Sequence, residues 1–240
     1  MMQVCLNGAR GAGDGALIPL SPGAMAESVA QAVAAGARDV HVHPKSPCGQ
    51  DTLAPRAVAA ALEAVRSVTS VPVGVTTGAW ADPDPEQRVA HIRAWTVLPD
   101  HASVNWHEPG AEAVAEALLD RGVGVEAGLW SGTDGAERFA AWAHGPRVLR
   151  VLAEVTDPDP ATARDSARAL LTAIGPAHGR PVLLHGEEEG TWPVLRLAGR
   201  LGLATRIGLE DTLALPDGRR ARSNAELVRA ALSLLGPDPA

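Results

Sequence analysis

Two histidines stand two residues apart in the segment Ala37–Pro44, which reads Ala-Arg-Asp-Val-His-Val-His-Pro. Side chains two apart in a β-strand point to the same face, so His41 and His43 would present two imidazoles side by side. Imidazoles are ligands that Zn²⁺ uses, and a catalytic zinc site needs at least one more protein ligand and an open position. The alternative is a pair of polar side chains at a strand edge that binds nothing.

A candidate for the third metal ligand lies among the charged residues near the end of the chain. Arg206, Glu210 and Asp211 interrupt or follow an apolar run there. If the chain forms a closed barrel, its last strand pairs with the first, which pairs with the second, and Glu210 could then meet His41 and His43. Two histidines and one carboxylate are an accepted catalytic Zn²⁺ set, and such an ion would polarise a carbonyl oxygen. An Arg206–Glu210 ion pair that only closes the barrel is the alternative.

The elements that would position these residues alternate regularly. Short β-branched or apolar runs are separated by alanine-rich helical stretches, and the pattern occurs eight times. The predicted strands are Gln3–Asn7, Asp39–His43, Pro72–Thr77, His101–Asn105, Val123–Ala127, Val148–Ala153, Pro181–His185 and Thr205–Leu209. Eight strand–helix units predict a parallel (β/α)₈ TIM barrel, in which catalytic groups project from the C-terminal ends of the strands. An open doubly wound sheet is the alternative, and no Gly-x-Gly-x-x-Gly follows the first strand.

Length and composition limit the classes of protein. At 240 residues, with 46% hydrophobic and 20% charged residues, the chain is an ordinary globular protein, and we predict a single barrel domain over residues 1–240. A net charge of −7 without a basic cluster argues against a nucleic-acid partner. No apolar stretch approaches the length of a membrane span and no signal-peptide pattern is present, so we expect no membrane partner and a cytoplasmic location.

Four segments of the chain together resemble a known family, the β-keto acid cleavage enzymes, typified by 3-keto-5-aminohexanoate cleavage enzyme. The segments are Gly36–His43, Val75–Gly78, Arg206–Leu213 and Ser223–Val228, and the similarity spans nearly the whole chain in order. The resemblance implies a (β/α)₈ barrel with a divalent metal, usually Zn²⁺. It also implies condensation of a β-keto acid with acetyl-CoA to give acetoacetate and a new acyl-CoA, in a homotetramer or homodimer.

The resemblance also implies roles for individual residues. The metal ligands would be His41, His43 and Glu210, and the residues that hold the keto acid would be Thr76, Thr77, Ser103, Asn105, Glu126 and Arg10. Asp211 would be the acid/base carboxylate, and Arg206 would orient it and lower its pKa, which keeps it ionised. Arg10 stands where the best-known member has a glutamate that meets a cationic substrate group, so we expect a neutral or anionic substrate side chain here.

Two other functions compete with this interpretation. Lys45 is the only lysine of the chain and directly follows the two histidines and a proline. A Schiff-base aldolase would use such a lysine, although an exposed loop lysine has no evident reason for a lowered pKa. The other candidate is a non-catalytic metal- or ligand-binding barrel.

Overall fold

Eight parallel strands form the centre of the structure, a computed structural model that describes residues 1–14 and 17–236. The strands are β1 (Met2–Cys5), β2 (Asp39–Val42), β3 (Val73–Thr76), β4 (His101–Asn105), β5 (Gly124–Trp130), β6 (Arg150–Val155), β7 (Val182–Gly186) and β8 (Thr205–Ile207). The single domain predicted over 1–240 includes residues 15–16 and 237–240, which lie outside the described residues. Each predicted strand is present, and most of the ends differ by one to three residues.

The eight α-helices of the described chain follow the strands in alternation. They are α1 (Pro22–Ala34), α2 (Pro55–Arg66), α3 (Pro85–Ala94), α4 (Ala111–Asp120), α5 (Gly135–Ala141), α6 (Ala163–Ile174), α7 (Thr191–Arg200) and α8 (Asn224–Leu235). Side-chain caps define several beginnings: Ser21, Asp84 and Ser223 each accept a hydrogen bond from a backbone N–H of the first turn. Within the described ranges, no helix combines the length and the apolar character needed to cross a membrane.

The barrel closes through its last strand. β8 pairs with β1, with Gln3 opposite Arg206, and β1 pairs with β2, with Cys5 opposite His41. On its other side β8 reaches β7 through a short parallel bridge between Leu183 and Ala204. This order around the barrel confirms the (β/α)₈ prediction and rules out the open doubly wound sheet, whose end strands would stay apart.

An apolar layer between the barrel and the helices holds the fold. Outward-facing strand residues such as Val4 and Val40 are fully buried, and so are Val58, Leu62 and Val65 along one face of α2. Burying each valine or leucine side chain contributes about 1.5–3 kcal/mol. Because this outer layer supplies the hydrophobic stabilisation, the inside of the barrel is free to carry polar groups.

The lower interior of the barrel contains a charged network near the strand beginnings. The Nδ1 and Nε2 atoms of His101 each lie 3.0 Å from a carboxylate oxygen, of Glu126 and Asp39 respectively. Arg150 donates to Glu126 at 2.7 Å and to Asp39 at 3.0 Å. Glu126 was expected at the end of its strand, but β5 continues four residues further to Trp130. Glu126 therefore lies in this lower network, away from the rim where the keto acid was predicted to bind.

Candidate active site

The predicted metal ligands meet at the C-terminal ends of the strands. His41 lies in β2, His43 directly follows it, and Glu210 follows β8; one ligand atom from each residue lies within 4.8 Å of the others. His41 Nε2 is 3.9 Å from Glu210 Oε2, and His43 Nε2 is 3.6 Å from Glu210 Oε1. Tetrahedral ligands at zinc distances are separated by about 3.3 Å, so small side-chain shifts would complete the site.

Two observations test whether the three residues suit a cation. The Oε2 atom of Glu210 is buried and accepts no hydrogen bond within the described chain. Its other oxygen, Oε1, accepts from Arg206 Nη2 at 2.9 Å, so the ion pair considered as an alternative also exists. A buried carboxylate oxygen without a donor is costly, and a divalent cation among these nitrogen and oxygen ligands would satisfy it. The donor set therefore fits a Zn²⁺ ion or another divalent metal.

The charges of the two imidazoles differ. Burial lowers the pKa of His41 to about 3, which makes its imidazole neutral. Burial opposes the charge on His43 as well, but Glu210 and a hydrogen bond with Asp51 outweigh it and raise the pKa of His43 to about 9. A metal ion would compete with this proton, so metal binding should release it.

Asp51 and Lys45 lie on the Nδ1 side of the His43 ring, away from Glu210. Asp51 Oδ2 lies 3.0 Å from His43 Nδ1, and Oδ1 lies 2.5 Å from Lys45 Nζ. The Lys45 ammonium also donates to the carbonyl oxygens of Gly8 and Arg10. Lys45 is 7% exposed, so the expectation of an exposed loop lysine is wrong. Its Nζ atom donates to three oxygen acceptors and is not free to attack a substrate carbonyl, which disfavours the Schiff-base aldolase.

Asp211 and Arg206 lie beside the three metal-ligand candidates, and Arg206 contacts Glu210 directly. Asp211 accepts from Arg206 Nη2 and from the Cys5 thiol, both at 2.9 Å, and His185 Nδ1 accepts from Arg206 Nε at 3.2 Å. Burial raises the pKa of Asp211 above its ordinary value, and Arg206 lowers it by less. The expectation that Arg206 keeps this pKa low is therefore wrong, because desolvation of the carboxylate is the larger effect.

A cavity of about 350 Å³ opens directly over the metal-ligand candidates. It is lined by Ala9, Arg10, Asp14, His43, Trp80, Trp130, Glu154, Glu187, Glu188 and Glu210. Of the predicted substrate-binding residues, Arg10 lies in this wall. It pairs with Glu188 at 2.6 Å and donates to the backbone oxygen of Glu210 at 3.3 Å.

The other predicted substrate residues form a separate group at the ends of β3 and β4, outside this cavity lining. Thr76 is opposite Ser103 in the sheet, and the Thr77 hydroxyl donates to the Ser103 carbonyl oxygen at 2.7 Å. Asn105 donates to Glu108 at 2.9 Å. Thr77 and Asn105 thus already have protein partners, whereas the side-chain hydroxyl of Ser103 makes no hydrogen bond within the described part of the chain.

Several residues of the site had no role in the sequence prediction. Asp51 and Cys5 contact His43 and Asp211, and Glu154 and Glu187 line the cavity. The two glutamates stand just beyond the ends of predicted strands, so the sequence places them at the polar rim of the barrel without assigning them a role. Asp51 lies in a loop and Cys5 reads as an apolar strand residue, so neither carries a comparable signal.

The fold and site define a TIM-barrel protein with a candidate metal-dependent active site at the C-terminal ends of its strands. The family model described as BKACE, beta-keto acid cleavage enzyme, matches residues 1–236, and the chain belongs to this family. Membership confirms the family resemblance seen in the sequence.

One solved structure with the same fold is a ternary complex of ObcA with a C4-CoA adduct and oxalate. It matches with a TM-score of 0.66 at 17% sequence identity, over 88% of this chain and 62% of that one. The chain therefore spans less than two thirds of the length of that protein, and at this identity the likeness shows the fold alone. No curated protein matches the chain.

Proposed function

We propose that the protein is a metal-dependent β-keto acid cleavage enzyme that takes a β-keto acid and acetyl-CoA to acetoacetate and a new acyl-CoA. The observation that carries this proposal is the meeting of His41, His43 and Glu210 beneath an open cavity, in a chain of this family. A CoA adduct bound by ObcA, which has the same fold, supports a CoA thioester as the second substrate.

His41, His43 and Glu210 would hold the metal, with Zn²⁺ as the expected ion. When bound there, a divalent ion supplies Lewis-acid polarisation of the keto acid's ketone oxygen. Asp51 fixes the His43 ring so that Nε2 faces Glu210, and Trp80 stacks on that ring at 5.9 Å between centroids. These contacts would keep the ligands in place and limit access of water from that side.

Asp211 is the residue to which we assign proton transfer. Its carboxylate would take a proton from the carbon between the ketone and carboxylate groups of the keto acid. That carbon then bonds to the acetyl carbon as the thiolate of CoA leaves. The thiolate next bonds to the original ketone carbon, the bond to the new acetoacetate breaks, and the acyl-CoA forms. The raised pKa of Asp211 makes its carboxylate a stronger base than an ordinary aspartate, which suits proton abstraction.

Arg206 would position the two carboxylates that act in this scheme. One nitrogen atom, Nη2, donates to both Glu210 and Asp211 at 2.9 Å. Charge-assisted hydrogen bonds of this kind hold side chains in fixed orientations. Loss of Arg206 should therefore disturb metal binding and proton transfer together.

Metal analysis of purified protein with a turnover assay tests the proposal. His41→Ala and His43→Ala should each lose bound metal and the release of acetoacetate from a panel of β-keto acids with acetyl-CoA. His91→Ala is a matched control, because His91 pairs with Asp82 outside the site and should leave both measurements unchanged. Full metal content and activity in the two site variants would overturn the metal assignment.

The same assay separates the enzyme from a non-catalytic metal-binding barrel. Metal retained by the wild type without turnover of any keto acid in the panel would favour the latter. The homotetramer or homodimer stays a prediction from the resemblance, and sedimentation of the purified protein would test it.

A further inference from the structure

The lining of the cavity over the metal-ligand candidates carries two acidic side chains that form no ion pair with a lysine or arginine among the described residues. Glu154 is the fifth residue of β6, and Glu187 directly follows β7. The Glu154 side chain is 7% exposed, and its nearest basic group is His185 Nε2 at 3.4 Å. Burial lowers the pKa of His185 to about 4, so this imidazole is neutral near pH 7. No lysine or arginine of the described chain forms an ion pair with either glutamate.

The two carboxyl groups also act on each other. Burial and the adjacent Glu154 raise the pKa of Glu187 to about 8, and burial raises that of Glu154. A buried carboxylate and a partly buried one that face the same cavity without a cation are unfavourable, and a shared proton reduces the cost of such a pair. A positively charged ligand group would relieve the same repulsion.

Arg10 does not supply that positive charge. Its guanidinium donates to Glu188 at 2.6 Å and to the Glu210 backbone at 3.3 Å, so its charge is already compensated inside the wall. Asp14 adds another carboxylate to the same lining. The prediction that Arg10 selects a neutral or anionic substituent therefore loses its basis, since the wall as a whole is acidic.

Two indole rings also line the cavity. Trp80 and Trp130 stack with 6.3 Å between ring centroids and an interplanar angle of 29°. Trp130 is also the sheet partner of Glu154, so an indole and a buried carboxylate stand next to each other in the wall. The face of an indole attracts cations, most strongly where water is excluded. Indoles and unpartnered carboxylates in one wall are a recognised arrangement for binding ammonium groups.

We propose that Glu154, Glu187 and Trp130 form a subsite for an ammonium-bearing substituent of the β-keto acid. The keto acid itself rests on the function proposed above, whereas the preference for a cation rests on the wall of the cavity alone. The keto-acid end would face the metal ligands and the ammonium group would face β6 and β7.

Binding of a simple probe tests the subsite without turnover. By calorimetry at constant ionic strength, propylammonium chloride should bind at least about tenfold more tightly than 1-propanol, which has the same chain without the charge. Glu154→Gln and Glu187→Gln should each remove most of this difference. Glu116→Gln, an exposed change on α4, is the matched control and should keep it. Equal binding of the two probes by the wild type would overturn the subsite.

Substrate preference gives an independent measurement that needs only the wild-type protein. With acetyl-CoA, a β-keto acid that ends in an ammonium group should be used at least about tenfold more efficiently, in kcat/KM, than its methyl-terminated counterpart. Higher efficiency for the methyl compound would overturn the proposal.

If no keto acid is used but propylammonium still binds, the proposed function fails and the subsite stands. If neutral keto acids are used and propylammonium does not bind, the subsite fails and the proposed function stands.

Discussion

Asp51 connects the only lysine of the chain to a candidate metal ligand. One of its oxygens contacts His43 Nδ1 and the other contacts Lys45 Nζ. A carboxylate on one ring nitrogen fixes the orientation of the imidazole and increases the electron-donating power of the other nitrogen. Lys45 in turn keeps Asp51 ionised and in place. The chemistry first associated with Lys45 is thus replaced by a supporting role for the site.

Replacement of Asp51 should weaken the metal site without removing a ligand. Asp51→Asn is expected to reduce Zn²⁺ affinity by about 10–100-fold, because the amide orients and polarises His43 less well. Competition with a chromogenic chelator would measure the affinity. Asp82→Asn removes a carboxylate from another histidine, His91, and should leave the affinity unchanged. An unchanged affinity in Asp51→Asn would contradict the supporting role.

The sequence predicted the meeting of the three candidate ligands better than it predicted the residues that support them. His41, His43 and Glu210 follow from strand periodicity and from the pairing of β8, β1 and β2, which are repeating features. Asp51 could not be found this way, because its position depends on a loop closed by an isolated bridge between Lys45 and Asp51. The raised pKa of Asp211 was missed for a related reason: the sequence shows the nearby arginine but not the depth of burial.

At the scale of the elements, the C-terminal end of β5 was predicted incorrectly. The apolar run stops at Gly128, so the strand was expected to end at Ala127, but it continues to Trp130. Gly128 belongs in the strand because a Cβ there would lie 2.8 Å from Asn105 Oδ1 of the neighbouring strand. The close packing of β4 and β5 therefore requires a glycine at position 128, which in the sequence resembles a strand end. Because β5 continues past Gly128, Glu126 lies inside the barrel and not at the end of the strand.

Gly74 in β3 has the same function for the lower network. A Cβ on Gly74 would lie 2.1 Å from the His101 ring, which fills the space against this glycine. Gly74→Ala should therefore lower the free energy of unfolding by about 1–3 kcal/mol, because the ring cannot move without leaving its two carboxylates. Chemical denaturation would measure the change. Gly23→Ala in α1 meets no atom within 4 Å and is the control. Equal stabilities of the two variants would contradict this account of β3.

At the scale of the whole molecule, the barrel interior is divided into two polar regions with different degrees of pairing. TIM-barrel interiors are usually filled by branched apolar side chains. Here Asp39, His101, Glu126 and Arg150 pair with one another in the lower region. In the upper region Glu154, Glu187 and one oxygen of Glu210 lack such partners. The fully paired region stabilises the barrel, and the incompletely paired region is where ligands should bind.

The lower region should make stability depend on pH. Burial alone would lower the pKa of His101, but Glu126 and Asp39 outweigh it and raise the pKa from 6.5 to about 10. The folded protein therefore retains a proton that the unfolded chain loses above pH 6.5. The contribution of His101 is complete below pH 6.5 and disappears as the pH rises through about 10. Glu126, whose pKa is lowered, contributes above its ordinary value of 4.5 and less as the pH falls below it.

Replacing His101 should remove the alkaline part of this dependence. Between pH 6.5 and about 10, the free energy of unfolding of the wild type should fall more steeply than that of His101→Gln, by up to about 1.4 kcal/mol per pH unit. Chemical denaturation across the pH range would give both slopes. The slope is the relevant quantity, because the variant is also expected to be less stable at every pH. His144→Gln changes an exposed histidine and should keep the wild-type slope. Parallel slopes for the wild type and His101→Gln would show that His101 is not charged inside the barrel.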